Sequence, residues 1–244
     1  MPKKQSKTRK DDAVSVLKIL DKQDSASDDV LFHPLFSEML RGLSLPGGID
    51  LAAIRKLLEA GADVEVVNPT FGTPLLYACA FEYEALVRLL LSFGADANRG
   101  FDRPVWGGKA RATPLCNASG AGHVEVVRLL LDHGASVDLA GANDTTTPLC
   151  IACEKVQSLD GVVRHDHFLA VIRLLLERGA NLDVLSNRSV SRRETQRRLT
   201  VFGMVRYFGC PVLRKLLRAH LARTIRLTAK RSKIMAPHVA RFLV

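Results

Sequence analysis

The chain has 244 residues, 47% of them hydrophobic, and a formal net charge of +10. That apolar content suffices for a continuous core, and the lack of any run of about 18 apolar residues argues against a membrane span. Five scattered cysteines and a start, MPKKQSKTRKDD, without an apolar segment argue against secretion, so we expect an intracellular protein of the cytoplasm or nucleus.

The charge is unevenly distributed along the chain. Residues 1–10 carry five basic and no acidic side chains, and residues 184–244 carry fifteen Lys and Arg against Glu194 alone. The part between them, 11–183, holds 24 acidic and fifteen basic residues. An acidic body with two basic ends is typical of a chain that meets nucleic acid, an anionic membrane or an acidic protein at those ends.

The N-terminal part divides into two segments. Residues 1–12 are charged and nearly free of apolar side chains, which predicts disorder and is compatible with a short nuclear import signal. Residues 13–31 contain Val14, Leu17 and Leu20 at helical spacing. We expect them to form a helix that covers the first unit of the array described next.

A two-helix unit recurs along the chain. A Thr-Pro-Leu triplet, able to cap and open a first helix, occurs at Thr73, Thr113 and Thr147. A Gly-Ala pair, which suits the left-handed end of a second helix, begins at Gly61, Gly94, Gly134 and Gly179. Apolar side chains recur at helical spacing before each pair, as in Val124, Val127, Leu130 and Leu131.

The unit resembles the ankyrin repeat, in which T-P-L opens one helix and L-L-x-x-G-A closes the next, and Gly61 and Gly94 are 33 residues apart. The resemblance implies an all-α ankyrin repeat solenoid at 32–222, with about five helix-turn-helix repeats and short hairpin fingers. The expected repeats are 32–66, 67–98, 99–138, 139–183 and 184–222, the first and last being degenerate. It also implies a monomeric, non-enzymatic adaptor or scaffold that binds another protein through its fingers and concave face.

The last unit emerges on alignment. RLTVFGMVRYFGCPVLRKLLRAHLA from Arg198 matches RATPLCNASGAGHVEVVRLLLDHGA from Arg111 without a gap, and Leu221 stands where Gly134 closes the earlier helix. Since nothing at Leu221 forces a stop, we expect the second helix to continue through LARTIRLTAK. Residues 223–244 are thus predicted to be a basic helical C-terminal extension.

The connection after Asn98 is the first candidate binding site. NRGFDRPVWGGKARA adds about seven residues to the usual finger, and insertions in repeat arrays map to surface loops. Exposed Trp and Arg are enriched at interface hot spots, so we expect partner contacts at Phe101, Arg103, Trp106, Lys109 and Arg111. Alternatively, Phe101 and Trp106 fold back and anchor the loop. A second insertion, near EKVQSLDGVVRHDH, is expected to form another surface loop.

The basic end is the second candidate. Its last finger, SNRSVSRRETQRR, contains Arg188, Arg192, Arg193, Arg197 and Arg198, which suit phosphate or carboxylate groups of nucleic acid, anionic lipid or an acidic protein. Segments 221–226 and 237–243 are also similar to the two parts of a SOCS box, which implies recruitment of a ubiquitin ligase scaffold. Ala222 replaces the cysteine of that pattern.

Catalytic and cofactor-binding motifs are absent from the sequence. It contains neither G-x-x-x-x-G-K-[ST] nor G-x-G-x-x-G nor G-x-S-x-G. His165-Asp166-His167, in the second insertion, is the one cluster of metal-ligand residue types, and no further ligand is evident near it. We therefore expect no enzyme, no cofactor and no metal site.

Overall fold

A computed structural model describes residues 33–44, 48–105, 108–141, 146–158, 165–183, 200–201 and 211–228. The predicted N-terminal segments, 1–12 and 13–31, lie outside these residues. The same holds for the arginine-rich last finger and for the chain beyond Thr228.

The described residues form nine helices and one β-hairpin. In chain order they are α1 (Pro34–Ser44), α2 (Leu51–Glu59), α3 (Pro74–Ala80), α4 (Glu84–Ser92), β1 (Phe101–Val105), β2 (Gly108–Ala112), α5 (Pro114–Ala121), α6 (Val124–Asp132), α7 (Pro148–Ser158), α8 (His165–Glu177) and α9 (Pro211–Thr228). The helices α1 to α8 are paired in sequence, so each repeat contributes a first and a second helix.

Threonine caps start the first helices. The Oγ1 of Thr73 accepts a hydrogen bond from the N–H of Leu76 at 3.3 Å, and that of Thr113 accepts one from Cys116 at 3.2 Å. Proline follows each threonine, where its missing N–H costs no helical bond. These two interactions fix the start of the helix in each case.

Residues with positive φ end or separate the helices. Gly122 ends α5 with φ of +80°, and Glu82 takes the equivalent place after α3 with φ of +59°. Gly120, by contrast, lies inside α5. Gly134 has φ of +83° after α6, in the left-handed region that its position in the repeat predicts.

The helices form two packed layers. The first helices α3, α5 and α7 pack side by side, and the second helices α4, α6 and α8 do the same. Their leucines enter one continuous core that extends from Leu35 in α1 to Leu217 in α9. Each repeat thus buries its apolar stripe against its neighbours, and the prediction of an all-α repeat solenoid is confirmed.

The insertion in the fourth repeat is not only a loop. Helix α7 extends to Ser158, and helix α8 already begins at His165. Asp166 and His167 therefore lie exposed in the first turn of a helix, where a loop was expected. The extra residues lengthen both helices because EKVQS and HDHF continue the helical pattern without a glycine.

The C-terminal helix is the longest of the described part. Leu213, Leu217 and Leu221 are buried, at helical spacing, and α9 packs against α8. The helix continues past Leu221 to Thr228. Leu221 occupies the position at which the second helix of the third repeat meets its closing glycine.

Candidate interaction surface

The long finger is a regular β-hairpin. Strands β1 and β2 are antiparallel, with five residue pairs from Phe101–Ala112 to Val105–Gly108. Residues 106–107 connect the two strands. An ordered hairpin here extends the surface that follows the second repeat.

Phe101 anchors the base of this hairpin. Its half-buried ring lies against Gly72, whose φ is +78°, in the preceding connection. A Cβ at position 72 would lie 3.0 Å from Cβ and Cγ of Phe101 and 2.8 Å from Cδ1 of Leu76. Only glycine leaves room for this approach, so Phe101 contacts the body of the array.

Side chains link each finger turn to the next. The residue four positions after each closing glycine bonds to the backbone two positions after the next closing glycine. Asn98 Oδ1 accepts from the N–H of Ser136 at 2.7 Å, and Asn98 Nδ2 donates to the carbonyl of Gly134 at 3.0 Å. Asp138 Oδ1 accepts from the N–H of Asn181 at 3.0 Å.

The first of these links between finger turns also includes an ion pair. Glu65 Oε1 accepts from the N–H of Asp96 at 2.7 Å, and Glu65 Oε2 lies 3.2 Å from Nε of Arg99. Burial raises the pKa of the Glu65 carboxyl, although the Asp96 N–H and Arg99 act in the opposite direction. Arg99 is thereby held beside the start of the hairpin.

Four aromatic rings cluster in the second repeat. The ring of Tyr77 lies 5.4 Å from that of Phe71, 4.9 Å from Phe81 and 6.1 Å from Tyr83, measured between centroids. Phe71 and Tyr77 are buried, whereas Phe81 and Tyr83 are half-buried. The cluster was missed from sequence, although the i, i+4 spacing of Tyr77 and Phe81 places them on one helix face.

Small and polar side chains line the neighbouring first helices. Asn117 Nδ2 donates to the carbonyl of Leu76 at 3.4 Å, and a Cβ on Gly120 would meet Cγ2 of Ile151 at 3.0 Å. His123 Nε2 lies 3.2 Å from the carbonyl oxygen of Ala80. These contacts join adjacent repeats, and the histidine has a structural role.

The predicted binding residues are placed to different extents. Phe101 is the one whose side chain the structure describes, and it supports the anchoring alternative for this residue. Arg103 lies in β1, and Lys109 and Arg111 lie in β2, each placed by its backbone. Trp106 and the arginines of the last finger, Arg188, Arg192, Arg193, Arg197 and Arg198, lie outside the described residues.

The described cysteines are suited to packing. Cys79, Cys116, Cys150 and Cys153 are all buried. Burial raises the pKa of the Cys116 thiol to about 11, opposed by a hydrogen bond to Thr113, and it also raises the pKa values of Cys79 and Cys150. Neutral thiols of this kind are poor nucleophiles.

Neither a metal site nor a membrane span is found within the described segments. No three His, Cys, Asp or Glu residues come together in a group that could hold a metal ion there. Likewise, no helix among these segments is long and apolar enough to cross a membrane.

Two family models match the chain. The ankyrin repeat model matches residues 72–100, and the model for ankyrin repeats in three copies matches 107–187. A crystal structure of an ankyrin repeat domain from Acinetobacter baumannii superimposes with a TM-score of 0.59 at 24% identity, covering 87% of this chain and 95% of that one. The structural likeness supports the fold alone.

Two curated relatives that match this chain are larger than it. Ankyrin repeat and KH domain-containing protein mask-1 of Caenorhabditis elegans is 31% identical over 138 residues, which are 57% of this chain and 5% of the relative. Ankyrin repeat and SOCS box protein 11 of Pongo abelii is 32% identical over 119 residues, 44% of this chain and 34% of the relative. The matched part is about a third or less of either relative.

Proposed function

Because the chain is an ankyrin repeat protein and such repeats serve as protein–protein interaction modules, we propose that it is an adaptor or scaffold that binds its partner through the β1–β2 hairpin and the adjoining first helices. The observation that carries the proposal is the five-pair hairpin inserted between the second and third repeats. The links between successive finger turns, made by Glu65, Asn98 and Asp138, use residues outside this hairpin.

Preorganisation supports this assignment. Phe101 fixes one strand of the hairpin to Gly72, and the Glu65–Arg99 ion pair lies at its base. A projecting element that is already ordered loses less conformational entropy on binding than a flexible loop does. The hairpin is therefore a better binding element than an unstructured insertion of equal length.

The composition of the hairpin also favours a partner protein. Its sequence combines Trp106, between the two strands, with Arg103, Lys109 and Arg111, and Trp and Arg are enriched among residues that dominate binding energy. The half-buried rings of Phe81 and Tyr83 provide further aromatic surface on the second repeat. Both features lie in the second repeat and the connection that follows it.

The test is a variant in which Asn-Gly replaces residues 104–109. The pair Arg103–Ala110 then closes a two-residue turn in the original register, so the base of the hairpin and the fold are kept. We expect affinity pull-downs from cell extract to lose the partner with this variant and with Trp106→Ala, while thermal unfolding is unchanged. Retention of the partner by the folded Asn-Gly variant, which also lacks Trp106, would refute the proposal.

A second candidate function, a substrate adaptor of a ubiquitin ligase, has support from the relatives. Two of them, from Pongo abelii and Bos taurus, are named ankyrin repeat and SOCS box proteins, and α9 includes the segment 221–226 that resembles the start of such a box. Truncation after Ala222 should remove co-purifying ligase components and leave the hairpin-dependent partner bound. If no ligase component is found with the full chain, this candidate is wrong.

A third possibility, electrostatic binding by the basic end, can be distinguished from the other two by its dependence on salt concentration. Nucleic acid or anionic membrane held by the basic end would be released steeply as salt rises, and it would be lost on the same truncation. A partner retained at high salt by both chain lengths assigns recognition to the repeats.

A further inference from the structure

The register of the hairpin determines which backbone N–H and C=O groups bond between β1 and β2 and which face the outer edges. Val105 and Gly108 flank a two-residue connection, so they form the closing hydrogen-bonded pair. Hydrogen-bonded pairs alternate with non-hydrogen-bonded pairs in an antiparallel ladder. The pairs Pro104–Lys109 and Asp102–Arg111 are therefore of the second kind, and their backbone groups are directed to the outer edges.

The two outer edges differ because of one proline. Pro104 has no N–H, so the outer edge of β1 lacks one of the two donors that Asp102 and residue 104 would provide, which is a common way to block strand addition. The outer edge of β2 presents complete N–H and C=O pairs at Lys109 and Arg111. Within the described part of the chain, β1 is the sole strand paired with β2.

Charge indicates what can occupy the open edge. The hairpin sequence carries Arg103, Lys109 and Arg111 against one acidic residue, Asp102. Both residues whose backbone faces the open edge are basic, and opposite charges across neighbouring strands stabilise pairing. An acidic strand fits this edge, whereas a basic strand is repelled.

We propose that the outer edge of β2 binds an extended acidic segment of the partner protein by β-strand addition, with acidic side chains at alternate positions opposite Lys109 and Arg111. This inference rests on the proposed function, because it specifies how the hairpin holds its partner. It adds the chemistry of the recognised segment and the strand that receives it.

Backbone amide exchange of the full chain is the first test. The probe is a synthetic octapeptide of alternating Glu and Val, compared with one of alternating Lys and Val. Binding of the acidic peptide should slow exchange of the Lys109 and Arg111 amides and leave Ala110, already bonded to Arg103, unchanged. Failure of the acidic peptide to bind, or binding without protection of these two amides, would overturn the inference.

Two substitutions at position 111 separate the contribution of the backbone N–H from that of the side-chain charge. In Arg111→Pro the proline removes an outward N–H that the hairpin itself does not use, as Pro104 does in β1, whereas Arg111→Gln keeps the N–H and removes the charge. We expect affinity for the acidic peptide to fall at least about tenfold with proline and about threefold with glutamine. Equal losses in two folded variants would contradict strand addition.

These outcomes are distinguishable from failure of the proposed function. If neither peptide binds but the Asn-Gly variant still loses the cellular partner, the hairpin is the binding element and strand addition is wrong. If the Asn-Gly variant retains the partner, the proposed function itself fails.

Discussion

Asn98 connects two repeats through both ends of its amide. Its oxygen accepts from the Ser136 N–H, and its nitrogen donates to the carbonyl of Gly134, just beyond the end of α6. Glu65 and Asp138 occupy the equivalent position in neighbouring repeats. A carboxylate there can only accept, so the link at Asn98 is the one that engages both a donor and an acceptor.

This difference predicts a ranking of variants at position 98. Asn98→Ala loses both hydrogen bonds and should lower the free energy of unfolding by about 1–3 kcal/mol. Asn98→Asp keeps the bond from Ser136, as Asp138 does for Asn181, and should lose less. Urea denaturation measures both values, and an equal loss would show that the Ser136 bond contributes nothing.

Substitutions at two glycines with positive φ separate the energetic effect of backbone strain from that of a steric clash. Gly61 has φ of +90°, and a Cβ added there would meet nothing within 4 Å, whereas a Cβ at Gly72 would meet Leu76 and Phe101. Gly61→Ala should lower the free energy of unfolding by about 1–2 kcal/mol, because of backbone strain alone. Gly72→Ala should cost roughly 1 kcal/mol more, because Phe101 must move.

Besides the free energy of unfolding, amide exchange distinguishes the two glycine variants. Only Gly72→Ala should accelerate exchange of the hairpin amides in β1 and β2, since it displaces the anchor of the hairpin. If Gly61→Ala accelerates them equally, Phe101 does not anchor the hairpin.

At the scale of elements, local signals were sufficient for the helices. The Thr-Pro-Leu triplets and apolar spacing identified α3 to α8, since each start and stop depends on a few neighbouring residues. The resemblance implied a hairpin finger here, but the register of β1 against β2 was not predicted, because strand register depends on contacts across the turn. Folding back of Phe101 to anchor the loop could be stated only as an alternative, and neither its contact with Gly72 nor the aromatic cluster was predicted.

Helix α9 shows that a second helix without a closing glycine continues past the position where the other second helices end. Leu221 is buried and the helix continues to Thr228, whereas α6 ends before Gly134. Leu221→Gly should therefore weaken the helix beyond residue 221, by about 1 kcal/mol more than Leu221→Ala, which loses the same packing. Faster amide exchange of residues 222–228 in the glycine variant alone would verify this. Equal exchange in the two variants would contradict it.

For the whole molecule, stability is shared between neighbours. Each repeat contacts the next one, so damage at one end should spread along the array and weaken with distance. Buried thiols at different positions can report this: Cys79 lies in α3, Cys116 in α5, and Cys150 and Cys153 in α7. Because burial raises the pKa values of Cys79, Cys116 and Cys150, these thiols are expected to react with iodoacetamide only when their repeat opens.

Leu217→Ala tests this sharing from the C-terminal end. Leu217 is fully buried in α9, which packs on α8, and its truncation should destabilise that end by about 2–5 kcal/mol. Iodoacetamide labelling followed by mass spectrometry should then accelerate most at Cys150 and Cys153 and least at Cys79. Lys215→Ala, an exposed change in the same helix, should leave all rates unaltered. Equal acceleration of all four thiols would mean that the array opens as a single cooperative unit and not repeat by repeat.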